Sequence, residues 1–136
     1  MNFSNILFPV LIQVLLTLIM FLILGYRKTG AIKAGGVDRA KTALDNSAWP
    51  EDVVKVSNNI ANQFQTPILF YTLCILFYVT NTVSTLVLVL AWLYVLTRLV
   101  HAYVHITSNF VPVRFKTFII SVLTLIIMTV LAFLNF

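Results

Sequence analysis

The sequence predicts an all-α membrane protein, a four-transmembrane-helix up-down bundle, and three observations carry that prediction. Hydrophobic residues make up 60% of the 136-residue chain, charged residues only 10%, and the mean hydropathy is +0.99. A soluble fold of this size leaves much of its surface in water and cannot hide so much apolar material. Four stretches reach or approach the roughly 20 apolar residues that cross a bilayer as a helix: Phe3 to Tyr26, about Phe64 to Val79, Leu86 to Ile106, and Val113 to Phe136. The positive charges lie mainly between these stretches, with six of the nine in residues 27–55 and two more at Arg114 and Lys116.

The first helix is expected over about 3–26. No Lys or Arg precedes its apolar run, and Arg27 and Lys28 follow it. A cleaved signal peptide has the opposite order, so a retained helix is expected. The connection that follows holds all four acids of the chain and a glycine-rich turn, "TGAIKAGGVDR". It closes on Pro50, Glu51 and Asp52, which read as a helix start with acids at the positive end of the dipole.

The second helix is expected over about 53–80. Its apolar part is short, but the uncharged polar run "KVSNNIANQFQTP" extends the same helix out of the bilayer. The third and fourth helices are expected over about 85–107 and 113–135, giving one transmembrane domain over residues 1–136. The connection "TNTVST" (80–85) is short and uncharged. Short connections make neighbouring helices antiparallel.

The positive-inside rule places the connections 27–55 and 107–116 in the cytoplasm and both termini on the other side. A chain this short, without a eukaryotic retrieval signal, is expected in a bacterial inner membrane. The single cysteine, Cys74, lies in an apolar run and reads as a small hydrophobe. The net charge of +5 suits anionic lipid head groups and calls for no nucleic acid partner.

The third apolar stretch carries a polar stripe. Arg98, His101, His105 and Asn109 are spaced by three, four and four, so they share one helix face, and Tyr94 extends the row backwards. A charge at mid-bilayer costs about 2.5 to 3.5 kcal/mol on insertion scales, so the stripe must face a bundle interior or a wet cavity. Helix two supplies a partner face in Asn58, Asn62 and Gln65, flanked by Asn59 and Thr66, with Gln63 further round.

These polar residues suit a structural network between helices, and Arg114 and Lys116 also suit anchors at the membrane edge. His101 and His105 have metal-ligand spacing, but no Cys, Asp or Glu nearby completes a site, and no metal is expected. No acid in the apolar segments orients a histidine for a hydrolase triad. Neither broken helices nor inverted repeats are evident, which argues against a transporter.

Arg98-x-x-His101-x-x-x-His105, then Asn109 and "VPVRF", resembles the third helix and following turn of the MAPEG family, the membrane-associated proteins in eicosanoid and glutathione metabolism. Members show Arg-x-x-His-x-x-x-Tyr and an arginine at the start of helix four. That arginine falls at Arg114, sixteen residues after Arg98. "NQFQ" (62–65) resembles the family's Asn-x-x-Glu.

The resemblance implies a homotrimer with glutathione as co-substrate, sites between subunits, and a lipophilic small molecule arriving from the bilayer. It implies Arg114 as the catalytic residue that stabilises the thiolate. Arg98, Asn62, Gln65, His101 and His105 would line the peptide-binding region, with Arg27 reaching a carboxylate. Four positions depart from the family pattern. Gln65 replaces the helix-two glutamate, Asn58 an arginine, His105 the tyrosine, and Phe115 a serine found in some members. The implied function is that of a glutathione-dependent transferase or peroxidase. The alternative is a non-catalytic membrane protein of the same fold that binds lipid or a protein partner.

Overall fold

The structure, a computed structural model, describes residues 3–135, so Phe136 of the last apolar stretch lies outside the described residues. A 3-10 turn at Phe3–Ile6 leads into α1 (Leu7–Ala34). The short α2 (Arg39–Thr42) and a 3-10 turn (Asn46–Ala48) occupy the first connection. Then come α3 (Glu51–Gln63), α4 (Thr66–Val79), α5 (Thr85–Ile106) and α6 (Val111–Asn135). Four spans are long and apolar enough to cross a membrane: Ser4–Ala34, Glu51–Val79, Thr85–Ile106 and Val111–Asn135. The chain is a four-helix membrane bundle, with α3 and α4 together forming the second span.

The first helix continues past Tyr26 to Ala34, roughly two further turns. Nothing in "YRKTGAIKA" forbids helix, and the stop comes only at Gly35 and Gly36, whose φ of 81° and 83° few other residues adopt cheaply. The turn region that follows is tied by its own acids. Asp38 caps α2 by accepting from Ala40 and Lys41 N–H, and Asp45 accepts from Ser47 N–H. Lys28 lies over the Trp49 ring at 4.8 Å and holds this connection to α1.

The second span is not one helix. It breaks at Phe64 and Gln65, just ahead of Pro67. Proline has no N–H for the bond to Gln63, and its ring would clash with that carbonyl. The freed carbonyls of Ala61 and Asn62 are taken up by tighter bonds from Phe64 and Gln65 N–H, at 3.2 and 3.4 Å. A broken helix was not evident from the sequence pattern. Here it serves the polar residues, because it ends α3 inside the bundle.

Both remaining turns rest on an asparagine in the left-handed region. Asn81 (φ 57°) closes α4, with Thr82 N–H reaching Phe77 O (3.0 Å) and Asn81 N–H reaching Tyr78 O (3.2 Å). Asn109 (φ 54°) follows α5, and its N–H reaches back to Val104 O at 2.7 Å. Ser84 then caps α5 by accepting from Val87 N–H.

Inside the bundle α5 is the most enclosed helix, and α6 packs along it. One apolar cluster gathers Phe70, Cys74, Phe77, Val87, Tyr94 and Met128 from α4, α5 and α6. A second joins Leu16, Met20, Val56, Ile60 and Ala102 from α1, α3 and α5. Cys74 sits fully buried in the first, as a small hydrophobe would. Outward faces carry large apolar side chains such as Leu11, Leu22, Leu96, Ile126 and Phe133, surface that a bilayer covers and water would not tolerate.

Candidate functional site

The polar stripe of α5 turns inward as its spacing requires. Tyr94, Arg98, His101 and His105 are all buried, Arg98 to within 1% of full enclosure. Tyr94 stacks on Phe70 with centroids 4.4 Å apart, and its hydroxyl lies 3.0 Å from Thr66 Oγ1. It therefore closes the floor of the polar region against the apolar cluster.

Arg98 meets the end of α3 rather than an acid. Its Nη2–H donates to the Asn62 carbonyl at 3.3 Å, in the last turn of that helix. A guanidinium there faces the negative end of the α3 dipole, which helps hold a buried charge that has no carboxylate. The break before Pro67 is what places this helix end within reach.

Arg114, in the first turn of α6, is fixed by the preceding turn. Its Nη1–H donates to Asn109 Oδ1 at 2.6 Å. Its backbone carbonyl lies 3.0 Å from His101 Nδ1, and Thr117 Oγ1 lies 3.3 Å from the same nitrogen. A carbonyl only accepts, so His101 Nδ1 carries the proton and the neutral ring presents Nε2 as an acceptor. His105 is the reverse. Its Nδ1 faces the amide nitrogens of Asn59 (3.3 Å) and Asn62 (3.4 Å), which only donate, so its neutral ring presents Nε2–H. The two rings stand edge to face, 5.7 Å apart.

Behind His105 runs a relay of amides. Gln13 Nε2–H donates to Gln63 Oε1 (2.8 Å), and Gln63 Nε2–H donates to Asn59 Oδ1 (3.0 Å). The relay ties α1 and α3 to α5 through buried side chains. The pattern of polar spacing placed Asn58, Asn62 and Gln65 on the face toward α5. In the structure Asn62, half-buried, meets Arg98 and His105 of α5, Asn59 is buried against His105, and Gln63 is buried against Gln13 of α1, whereas Asn58 and Gln65 are exposed. Spacing sets Asn59 at the flank of the polar face and Gln63 further round, and it does not bring Gln13 forward at all.

Two cavities follow the stripe. One, of about 300 Å³, is lined by Asn62, Gln65, Thr66, Arg98, His101 and Arg114, with an apolar wall of Val111, Phe115 and Phe118. The other, of about 400 Å³, includes Glu51, Lys55, Asn58, Asn62, His105, Asn109 and Arg114. Asn62 and Arg114 line both, so the two form one groove. Of the expected site residues, Asn62, Gln65, Arg98, His101, His105 and Arg114 meet along it.

Arg27 does not reach that groove within the chain. It donates to the carbonyls of Asp52 (2.7 Å) and Ile106 (3.0 Å) and lines a separate pocket with Tyr26 and Pro50. There it clamps α1 to the start of α3 and the end of α5.

The groove offers two guanidinium forks for an anion, a bare imidazole nitrogen, and an aromatic wall for something apolar. Its one acid, Glu51, is paired with Lys55 at 2.8 Å. Among the described residues no three His, Cys, Asp or Glu side chains converge as a metal site would require. Fold and groove together define an integral membrane protein whose cationic, amphipathic cleft lies within its helices.

The sequence profile of the MAPEG family matches residues 6–134, and the chain belongs to this family. It is therefore a membrane protein of the glutathione and eicosanoid metabolism family, one associated with the use of glutathione. No curated protein and no solved structure matches the chain.

Proposed function

We propose that the protein is a thiol-dependent membrane transferase or peroxidase in which Arg114 holds the co-substrate sulfur as a thiolate. The observation that carries this reading is the convergence of Arg98 and Arg114 on one groove, with no acid partner on either guanidinium among the described residues. A free thiol has a pKa of about 8.5 and is mostly protonated at neutral pH, and a fixed neighbouring cation lowers that value. Arginine suits the task because it remains charged.

Arg98, Asn62, Gln65, His101 and His105 bind and orient the rest of the co-substrate. In this reading His101, whose Nε2 lacks a partner among the described residues, takes the thiol proton. The thiolate then supplies the nucleophile, forming a C–S bond as a leaving group departs, or attacking the outer oxygen of a lipid hydroperoxide so that the O–O bond breaks. In the second case the lipid leaves as an alcohol after protonation, and the sulfenic acid formed is converted by a second thiol to a disulfide and water. Val111, Phe115 and Phe118 receive the apolar reactant from the bilayer side. Functional sites completed by neighbouring copies in a homotrimer, with residues 27–55 and 107–116 on the cytoplasmic side, belong to the same proposal.

The test is turnover of a panel of lipophilic halo-arenes and alkyl hydroperoxides, with thiol, by purified protein in detergent. Arg114→Ala is expected to lower thiol-dependent turnover by about 10²-fold or more, as loss of a preorganised charge stabiliser does. Arg114→Lys should restore part of it. Equal turnover in wild type and Arg114→Ala would refute the assignment.

A further inference from the structure

The charge inventory of the groove says which kind of thiol it accepts, an inference that rests on the reading just given. Arg98 and Arg114 are its unpaired formal charges, since Lys55 and Glu51 cancel. Arg98, Arg114 and His101 line that space, and among the described residues Nε of Arg98, Nε of Arg114 and Nε2 of His101 are buried with no hydrogen bond. Two guanidinium groups without a carboxylate beside them suit a ligand bearing carboxylates or other anions.

For an ammonium group the described groove offers neutral amide and hydroxyl oxygens and one carboxylate, Glu51, already paired with Lys55. The chain has four acids, Asp38, Asp45, Glu51 and Asp52, and from residue 53 onward it has none. A neighbouring copy can contribute only the same four. Asp38 caps α2 and lies 3.9 Å from Lys41, Asp45 holds the Ser47 turn, and Glu51 is bonded to Lys55. Asp52 sits at the α3 start beside Arg27, in the separate pocket. The positions nearest Arg98 on the opposite wall, Asn62 and Gln65, are neutral amides.

We infer that the co-substrate of this groove is an anionic thiol without a free ammonium group, and that glutathione, which carries one, is a poor ligand. An ammonium placed beside two guanidinium groups has like charges for neighbours and no carboxylate to offset its desolvation, and such juxtaposition is how a site rejects a wrong partner.

The experiment compares calorimetric binding of glutathione with that of its deamino analogue, glutaryl-cysteinylglycine, in which hydrogen replaces the ammonium. The full-length protein in detergent is used as wild type, Gln65→Glu and Asp52→Asn. Wild type is expected to bind the deamino thiol at least about tenfold more tightly, because the two ligands differ only in the repelled charge. Gln65→Glu, an exposed and nearly isosteric change, should narrow or reverse that preference. Glutathione bound as tightly as the deamino thiol would overturn the inference while leaving the thiol-dependent reading intact. So would glutathione binding that is lost in Asp52→Asn, which would identify Asp52 as the ammonium partner. Binding of neither thiol, with no thiol-dependent turnover, would overturn both.

Discussion

Around Phe77 and Met128 the bundle is closed by aromatic and aliphatic side chains, whereas further along α5 the space around Arg98 is lined by amides, a histidine and guanidinium groups. The two regions share α4, α5 and α6, so helix geometry does not separate them. What separates them is how completely each region satisfies itself. In the apolar cluster Phe70, Cys74 and Phe77 are fully enclosed. At the other end, Arg98, His101 and Arg114 each leave a buried nitrogen without a partner among the described residues. Buried polar atoms in that condition cost stability. The proposed binding role of the polar end accounts for their retention there.

The sharpest way to break this contrast is a pair of substitutions, one at each end. Phe77→Ala opens a cavity in the apolar cluster and should lower stability by roughly 3 kcal/mol, read from denaturing-detergent titration in mixed micelles. In a bilayer the loss is one of packing contacts, since lipid offers little drive for apolar burial. Turnover per folded molecule should not change. Arg98→Met is the converse. Replacing an uncompensated buried cation by an apolar chain of similar length should leave stability about equal or raise it by about 1 kcal/mol, while anionic-thiol binding disappears. If Arg98→Met destabilised as strongly as Phe77→Ala and binding persisted, the two ends would differ only in polarity, not in purpose.

The contrast was only partly legible in the sequence. Run length exposed three of the four spans, because about 20 apolar residues have few other uses, and the second was read from a shorter apolar run extended by an uncharged polar one. The stripe Arg98–His101–His105 was legible because it lies on one uninterrupted helix, where a period of 3.6 holds from end to end. The helix-two partners were legible only in part, Asn62 meeting α5 as its spacing suggested, because the break before Pro67 and the packing of α3 decide which amides turn inward. Asn59 and Gln63 are inside and Gln65 is at the fringe. Gln13, a single amide in an apolar run, had no neighbour from which spacing could be read. Arg27 looked like any arginine at a membrane edge until tertiary packing brought the Asp52 and Ile106 carbonyls to it.

A smaller effect tests how the polar end is supported. Asn109 does two things at once: it takes the left-handed φ of 54° that ends α5, and its Oδ1 accepts from Arg114 at 2.6 Å. Asn109→Gly separates them. Glycine adopts that φ at no steric cost, so the turn and the packing of α5 on α6 should persist. The Arg114 fork loses its anchor and samples other positions. Turnover should therefore fall by about tenfold, equivalent to about 1.4 kcal/mol of transition-state stabilisation, with thermal stability nearly unchanged. Asn109→Ala should lower both, because alanine pays for positive φ as well as losing the amide. Full turnover in Asn109→Gly would reduce Asn109 to a turn former and leave Arg114 positioned by α6 alone.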